Sequence, residues 1–310
     1  MDTLHLWLAS ALVDAGSLPS TIQALTGATD GKDRHTGAGY VRGWLGPNLR
    51  VSINEQGMSV KGSLAKYFLS DNFHQMTRQD TARAFEKMSD ELHQPISKAK
   101  VTRLDFAQNL FVKNEPTAYF PYLSDCPYLH RFIQEKSLYF QNKQRQVVFY
   151  DKIVEGKSKG ETLPNVWKDK NVLRLELRLK KKLTKVFNRP EVTGATLCDE
   201  AFYIKLYDLW HEQYKKINKT KNLTINIETM NSPKDFFKQL EVFAISAIGH
   251  DKIMEMVEDM KARKVFDKPE YYSRLKQEVK RLCNTPGLSS SSDLVEELDK
   301  KVSQAKRCYR

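Results

Sequence analysis

Several short runs of the chain alternate apolar and polar residues at period two, the pattern of a half-buried strand. In "NLRVSINEQGMSVKG", Leu49, Val51 and Ile53 alternate with polar residues, and beyond Gly57 the alternation resumes at Met58 and Val60, which predicts a hairpin. "KVTRLDFAQNLFV" returns to period two, "KSLYFQNKQRQVVFYDKI" predicts a second hairpin, and "NVLRLELRLKKK" predicts a last strong strand. The opening "MDTLHLWLASALVDAG" carries Asp2 and His5 among apolar residues and has no basic leading segment, so it reads as a first strand running into a loop and not as a signal peptide. Between these runs the period changes. In "TRQDTARAFEKMSDELHQP" Thr77 and Asp80 form a capping-box start, Phe85, Met88 and Leu92 share a helical face, and Pro95 lies past the end. "EPTAYFPYLSDCPYLHRF" reads as a short helix broken by Pro121 and Pro127.

From about residue 198 the pattern becomes helical. "DEAFYIKLYDLWHEQYKK", "SPKDFFKQLEVFAISAI", "DKIMEMVEDMKARK", "KPEYYSRLKQEVKRL" and "SDLVEELDKKVSQAK" all predict helices, with "PGLSSSSD" at 286–293 as a flexible link to the last. The expected class is therefore α+β: an antiparallel sheet with helices packed on one side, followed by a helical domain. The change of pattern puts the boundary near 190–198, dividing the chain into 1–195 and 196–310.

Composition narrows the function classes. With 310 residues, 40% hydrophobic and 28% charged, the chain can bury a sizeable core as a soluble protein, and no run approaches the roughly 18 unbroken apolar residues of a membrane helix. Cys126, Cys198, Cys283 and Cys308 are scattered without metal-ligand spacing, which argues against a zinc site or disulfide framework and fits a reducing compartment. Fifty Lys and Arg against 38 Asp and Glu leave a formal charge of +12, which favours a polyanionic partner such as nucleic acid.

Three strands carry candidate chemistry. Alternation puts Arg103, Asp105 and Ala107 on one face of "VTRLDFA", Arg174, Glu176 and Arg178 on one face of "VLRLELRL", and Val148, Tyr150 and Lys152 on one face of "VVFYDK". If those faces align, two carboxylates and a hydroxyl converge. The plain alternative for each Arg-x-acid pair is a solvated face with local charge pairing. The convergent chemistry is coherent, because Asp and Glu oxygens suit Mg²⁺ or Mn²⁺, and a tyrosine hydroxyl can attack a phosphodiester to form a covalent phosphotyrosine. Farther along, Arg274, Lys276, Lys280 and Arg281 make 268–282 strongly basic, with Tyr272, Leu275, Val279 and Leu282 at helical spacing. That segment and the one before it predict a helix-turn-helix, against the alternative of a packed amphipathic helix with a solvated outer face.

In order and spacing, "MDTLHLWL", "VTRLDFA", "VVFYDK" and "LRLELRLK" resemble the catalytic domain of rolling-circle replication initiators, namely the filamentous-phage gene II/X family and the related plasmid replication initiation factors. "SVKGSLAKYFLSDNF" is a weaker fifth match, and together the blocks cover roughly residues 1–190. The resemblance implies a Rep-nuclease-like sheet and a metal-dependent nickase and strand-joining enzyme. Tyr150 would be its nucleophile, Lys152 would stabilise phosphate charge or lower the Tyr150 pKa, and Asp105 and Glu176 would hold Mg²⁺ or Mn²⁺ with Asp2 as a weaker third ligand. Arg103, Arg174, Arg178, Lys180, Lys181 and Lys182 would contact DNA, with Arg274, Lys276 and Lys280 in the helical part. The implied partners are origin DNA and a host helicase and polymerase in the bacterial cytoplasm, with no membrane. Related initiators of the HUH class bind metal through a His-hydrophobe-His triplet, which this chain lacks, and only His5 is held in reserve. No second tyrosine lies one helical turn from Tyr150, so rejoining would call on a homodimer or on water. The same chemistry would serve a mobilisation relaxase or a transposase, and the basic charge alone would serve a non-enzymatic DNA-binding regulator.

Overall fold

The computed structural model describes residues 1–220, 222–223, 231–283, 289–290 and 293–307. The fold is α+β. Ten strands form one antiparallel sheet: β1 (Thr3–Ala9), β2 (Thr26–Lys32), β3 (Gly39–Leu45), β4 (Leu49–Asn54), β5 (Gly57–Ser63), β6 (Lys100–Val112), β7 (His130–Gln134), β8 (Ser137–Gln141), β9 (Arg145–Asp151) and β10 (Asn171–Leu179). Their order is β2-β3-β4-β5-β1-β6-β10-β9-β8-β7, so β6 and β10 lie in the interior of the sheet. The helices are α1 (Leu18–Gln23), α2 (Leu64–Leu69), α3 (Arg78–Leu92), α4 (Lys152–Ser158), α5 (Leu183–Phe187), α6 (Gly194–Cys198), α7 (Glu200–Lys215), α8 (Pro233–Ile248), α9 (His250–Ala262), α10 (Pro269–Cys283) and α11 (Asp293–Arg307). The segment 116–122 is a 3-10 helix with Pro121 inside it.

The alternation decides which face is buried. Leu4, Leu6 and Leu8 of β1, Val51 and Ile53 of β4, Leu104 and Phe106 of β6, and Leu173, Leu175 and Leu177 of β10 enter a single core with Phe85, Met88 and Leu92 of α3. Gly57 at the β4–β5 turn has φ +146°, and a Cβ there would lie 2.2 Å from the Leu8 carbonyl oxygen, so only glycine lets β5 start this close to β1. Thr77 and Asp80 form the expected capping box of α3.

The expected division at 195/196 does not coincide with a break in this core. Phe202, Tyr203, Leu206, Tyr207, Trp210 and Tyr214 of α7, with Leu298 and Val302 of α11, are buried in the same cluster as the sheet. Phe106 takes the Tyr207 and Trp210 rings edge-on at 4.7 and 6.3 Å, and Trp210 Nε1 donates to the Leu175 carbonyl at 3.2 Å. Two helices read as a separate domain therefore cover the sheet. α8, α9 and α10 contact one another instead. The link expected at 286–293 falls largely outside the described residues; within it Ser289–Ser290 pair with Asn222–Leu223.

Candidate active site on the open face of the sheet

The face of the sheet opposite the core is where the polar residues of the strands meet. Register sets them in rows across β6, β10, β9 and β8. Asn109 lies opposite Arg174, then Tyr150 and Ser137; Ala107 lies opposite Glu176, then Val148 and Tyr139; Asp105 lies opposite Arg178, then Gln146 and Gln141. Asp2 joins them because its backbone N–H donates to the Asp105 carbonyl at 2.9 Å. A cleft of about 510 Å³ is lined by Asp2, Asp105, Tyr150, Glu176, Arg103 and Arg178 together, with Lys66 and Lys159 also on its wall.

Within the cleft Asp2, Asp105 and Glu176 each bind an arginine. Asp2 binds Arg174 at 2.7 Å, Asp105 binds Arg103 at 2.6 Å, and Glu176 binds Arg178 at 2.9 Å. The three pairs differ in exposure. The Arg174 side chain is only 3% exposed and its guanidinium also donates to the Asn72 carbonyl and Asn109 Oδ1, whereas Arg103 and Arg178 are 29% and 26% exposed. Arg174, read from sequence as a DNA contact, is thus a buried brace for Asp2, because the Asn72–Phe73 segment lies over this end of the face and takes hydrogen bonds from Arg174 and Asn109. Burial would raise the Asp2 pKa, but Arg174 and the Ser63 hydroxyl outweigh it and hold the carboxyl below its usual range. Asp105 goes the other way. Burial, aided by the neighbouring Glu176 charge and opposed by Arg103 and Arg178, pushes it up to about 6.

The Tyr150 hydroxyl donates to Glu176 Oε2 at 3.4 Å. Burial raises its pKa well above 10, Glu176, Asp2 and Glu155 add to the rise, and Arg174 opposes it. The phenol is therefore protonated at neutral pH and needs a proton acceptor, with Glu176 alongside. Lys152 does not share this face. The strand ends at Asp151, whose carboxylate caps α4 by accepting from the backbone N–H groups of Ile153 and Val154, so alternation stops one residue before the lysine. Lys152 is fully buried, bound to Glu155 at 2.6 Å and Glu161 at 3.3 Å, with its ammonium 4.5 Å from the Phe73 ring centroid. The cation that favours the Tyr150 phenolate is Arg174.

Among the described residues no group of three or more His, Cys, Asp and Glu side chains is placed to hold a metal ion. The donors nonetheless fit a hard divalent cation in kind. Asp105 and Glu176 are close enough to repel, and the buried Asn72 Oδ1, also on the cleft wall, accepts no hydrogen bond among the described residues. His5 lies opposite Arg103 on the same face, and burial, Arg103 and Lys61 lower its pKa to about 4, so it stays neutral.

The remaining basic candidates separate by location. Lys180 feels Arg103 and Arg178, which with burial lower its pKa and set it beside the cleft, while Lys181 and Lys182 are exposed past the end of β10. Arg274 is exposed on α10, where Lys276 pairs with Glu258 of α9, and Lys280 lies 2.7 Å from Asp125. Tyr272 and Leu282 are buried as the helical spacing predicts. Sequence reading missed Arg42, Arg50, Lys61 and Trp44. Register puts all four on the open face, where Arg50 lies opposite Lys61 and Trp44, and Arg42 lies opposite Ser52 and stacks on Tyr40 at 3.7 Å. For Arg50 and Lys61 the signal was present, since both alternate with the buried Val51 and Val60.

Residues 49–225 match the family of the phage gene II replication-associated protein, N-terminal part. That match defines the class first: a phage DNA-replication protein. The chain belongs to this family of filamentous-phage rolling-circle replication initiators. The matched segment runs from β4 through α7, so it contains Asp105, Tyr150 and Glu176 and crosses residue 195. No curated protein matches the chain. Among the described residues no helix is long and apolar enough to cross a membrane.

Proposed function

We propose that the protein binds the double-strand origin of a phage genome and nicks one strand through Tyr150. The observation that carries this reading is the Tyr150 hydroxyl in a polar cleft against Glu176, within the family-matched segment. The tyrosine oxygen forms a bond to phosphorus while the bond to the 3′ oxygen breaks, and the phenol proton passes to Glu176. The DNA is left with a 5′-phosphotyrosine, and the departing 3′ oxygen takes up a proton to become the primer hydroxyl for the host polymerase. Rejoining is the reverse attack by a 3′ hydroxyl on the phosphotyrosine.

Asp105 and Glu176 would hold Mg²⁺ or Mn²⁺, with Asp2 less suited because Arg174 and Ser63 already occupy it. A bound divalent ion would withdraw charge from the phosphodiester. Arg103 and Arg178 are exposed enough to exchange their carboxylates for phosphate oxygens, and Lys66 and Lys159 line the same wall. The enzyme would act with a host helicase in the bacterial cytoplasm, with a homodimer supplying a second tyrosine where one is needed.

The test is a labelled origin oligonucleotide incubated with protein and Mg²⁺, followed by mass spectrometry of the DNA–peptide adduct. Attachment at Tyr150, lost in Tyr150→Phe with DNA binding retained, is expected. An adduct on another residue, or normal nicking by Tyr150→Phe, sinks the proposal. Cleavage with no covalent adduct would also exclude it.

A further inference from the structure

We infer that Phe132 and Tyr139 form a stacking platform for unpaired nucleobases of the strand that reaches Tyr150. The inference rests on the nicking function proposed above and deepens it by naming how the substrate strand is held beside the cleft.

The two residues lie directly opposite each other on β7 and β8. Their rings are stacked, with centroids 4.9 Å apart and planes 8° from parallel, and the exposed His130 ring follows at 5.9 Å from Phe132. Both are half-buried on the open face, away from the helical layer, and Tyr139 lines the same cleft as Tyr150. Tyr139 is opposite Val148, which shares its face with Tyr150 two residues on. Tyr139 is therefore one strand, and Phe132 two strands, away from Tyr150.

The chemistry around the rings points to bases and not to phosphates. Besides His130, the other residues of β7 and β8 on this face are Ser137, Gln141 and Gln134, none of them Lys, Arg, Asp or Glu, whereas the opposite half of the face carries Arg42, Arg50 and Lys61. A duplex presents phosphates outward and keeps its base faces stacked inside, so only an unpaired base can offer a π face to an aromatic side chain. Neutral stacked rings at one end of the face and cations at the other match a strand whose bases are splayed on the first and whose backbone runs over the second. A cross-strand aromatic pair also steadies a hairpin. That role alone explains neither the orientation of the pair toward the open face nor the position of Tyr139 on the cleft wall.

The experiment measures binding in EDTA, where no cleavage occurs, by fluorescence anisotropy of a labelled single-stranded origin oligonucleotide and of the matching duplex. The paired substitution Phe132→Leu with Tyr139→Leu keeps apolar cross-strand packing, and it should weaken single-strand binding roughly ten-fold or more while leaving duplex binding within about two-fold. Tyr139→Phe keeps the ring and should bind as wild type. Unchanged single-strand affinity in the leucine variant, or equal loss for both DNAs, overturns the platform. Photo-crosslinking of the wild-type protein to an oligonucleotide carrying 5-iodouracil next to the nick site gives a check that needs no variant. Adducts on Phe132 or Tyr139 support the platform, and adducts only elsewhere reject it. A wild type that binds and crosslinks here yet forms no covalent Tyr150 adduct would reject the nicking reading and leave the platform standing.

Discussion

Two regions of this chain look equally suited to DNA from their charges, the strands around Tyr150 and the basic helix α10, and the structure treats them differently. On the sheet, residues from six strands, β1, β5, β6, β8, β9 and β10, project from one face into one cleft, because register in a half-buried sheet is fixed by the buried leucines on the other side. On α10 the basic residues are spread around a helix surface, and two of them meet acids on neighbouring segments, Lys276 with Glu258 and Lys280 with Asp125. Convergence on a cleft concentrates field and desolvates the groups that line it, so Tyr150 and Asp105 are both shifted. Exposed ion pairs on a helix surface are each worth little.

The sharpest way to break this comparison is at Glu176. Glu176→Gln removes the carboxylate that accepts the Tyr150 hydrogen bond, the proposed proton acceptor, and keeps the shape of the side chain. Nicking should fall by about 10²- to 10⁴-fold while origin binding stays near wild type. The check is a single-turnover cleavage assay beside a binding titration. A variant that cleaves at the wild-type rate would make the Glu176–Arg178 pair ordinary face chemistry, no different in kind from the pairs on α10.

Next in size is a stability effect. Arg174 and Asp2 are both buried, so Arg174→Leu leaves a carboxylate without its cation and should cost about 3 kcal/mol or more, read from urea denaturation. Arg103→Leu removes a partly exposed cation whose partner, Asp105, already binds a proton readily, and it should cost clearly less. Equal losses would erase the distinction between a brace and two exchangeable pairs.

The strands that build the site were legible because each has one apolar face, and the alternation of Leu173, Leu175 and Leu177 with Arg174 and Glu176 could have no other reading. Their order in the sheet was not in the alternation, and it is the fold that places β6 and β10 side by side. β2 and β3 escaped notice for a physical reason: β2 is exposed along nearly its whole length and contains Gly27 and Gly31, so it has no period to detect. Lys152 was misplaced because a strand pattern was extended through Asp151, a residue type that starts helices by accepting backbone N–H groups. The helix α7 was visible as a helix, but its aromatic face buries against β6 and β10, a long-range contact that helical periodicity cannot report.

A third prediction uses the opposite shifts of the two aspartates. The folded-state pKa of Asp105 is raised from 3.8 to about 6, so between those values the unfolded chain ionises this group while the folded protein keeps it neutral. The unfolded state then binds fewer protons, and the contribution of Asp105 to stability is present below pH 3.8 and is lost as pH rises through 6, by about 2–3 kcal/mol. Asp2, held below its usual range, acts in the other direction and loses its contribution as pH falls. In metal-free buffer the difference between wild type and Asp105→Asn isolates the first effect from Arg103, Glu176 and Arg178 around it. A difference that stays flat between about pH 4 and 7 would show that Asp105 ionises normally.

The smallest effects decide which region reads the origin. Arg50 and Lys61 lie opposite each other on the open face, and replacing both by alanine should weaken binding to all DNA and lower the salt dependence by about one unit of slope for each phosphate left unneutralised. Arg274→Ala and Lys276→Ala on α10 test something else. Lys276 is already paired with Glu258, and Arg274 borders an apolar groove with Phe266, Tyr271 and Leu275, so neither has the fixed, desolvated setting that discriminates bases well. Their removal should change affinity by only about three-fold at low salt. What matters is whether that change is selective. A drop confined to origin duplex, absent with scrambled duplex, would make α10 the reader despite its exposed charges. An equal small drop on both DNAs makes it a phosphate contact. Wild-type affinity and preference in both variants would remove α10 from recognition, and the basic end of β10, with Lys180 beside the cleft and Lys181 and Lys182 exposed past it, would be the next segment to substitute.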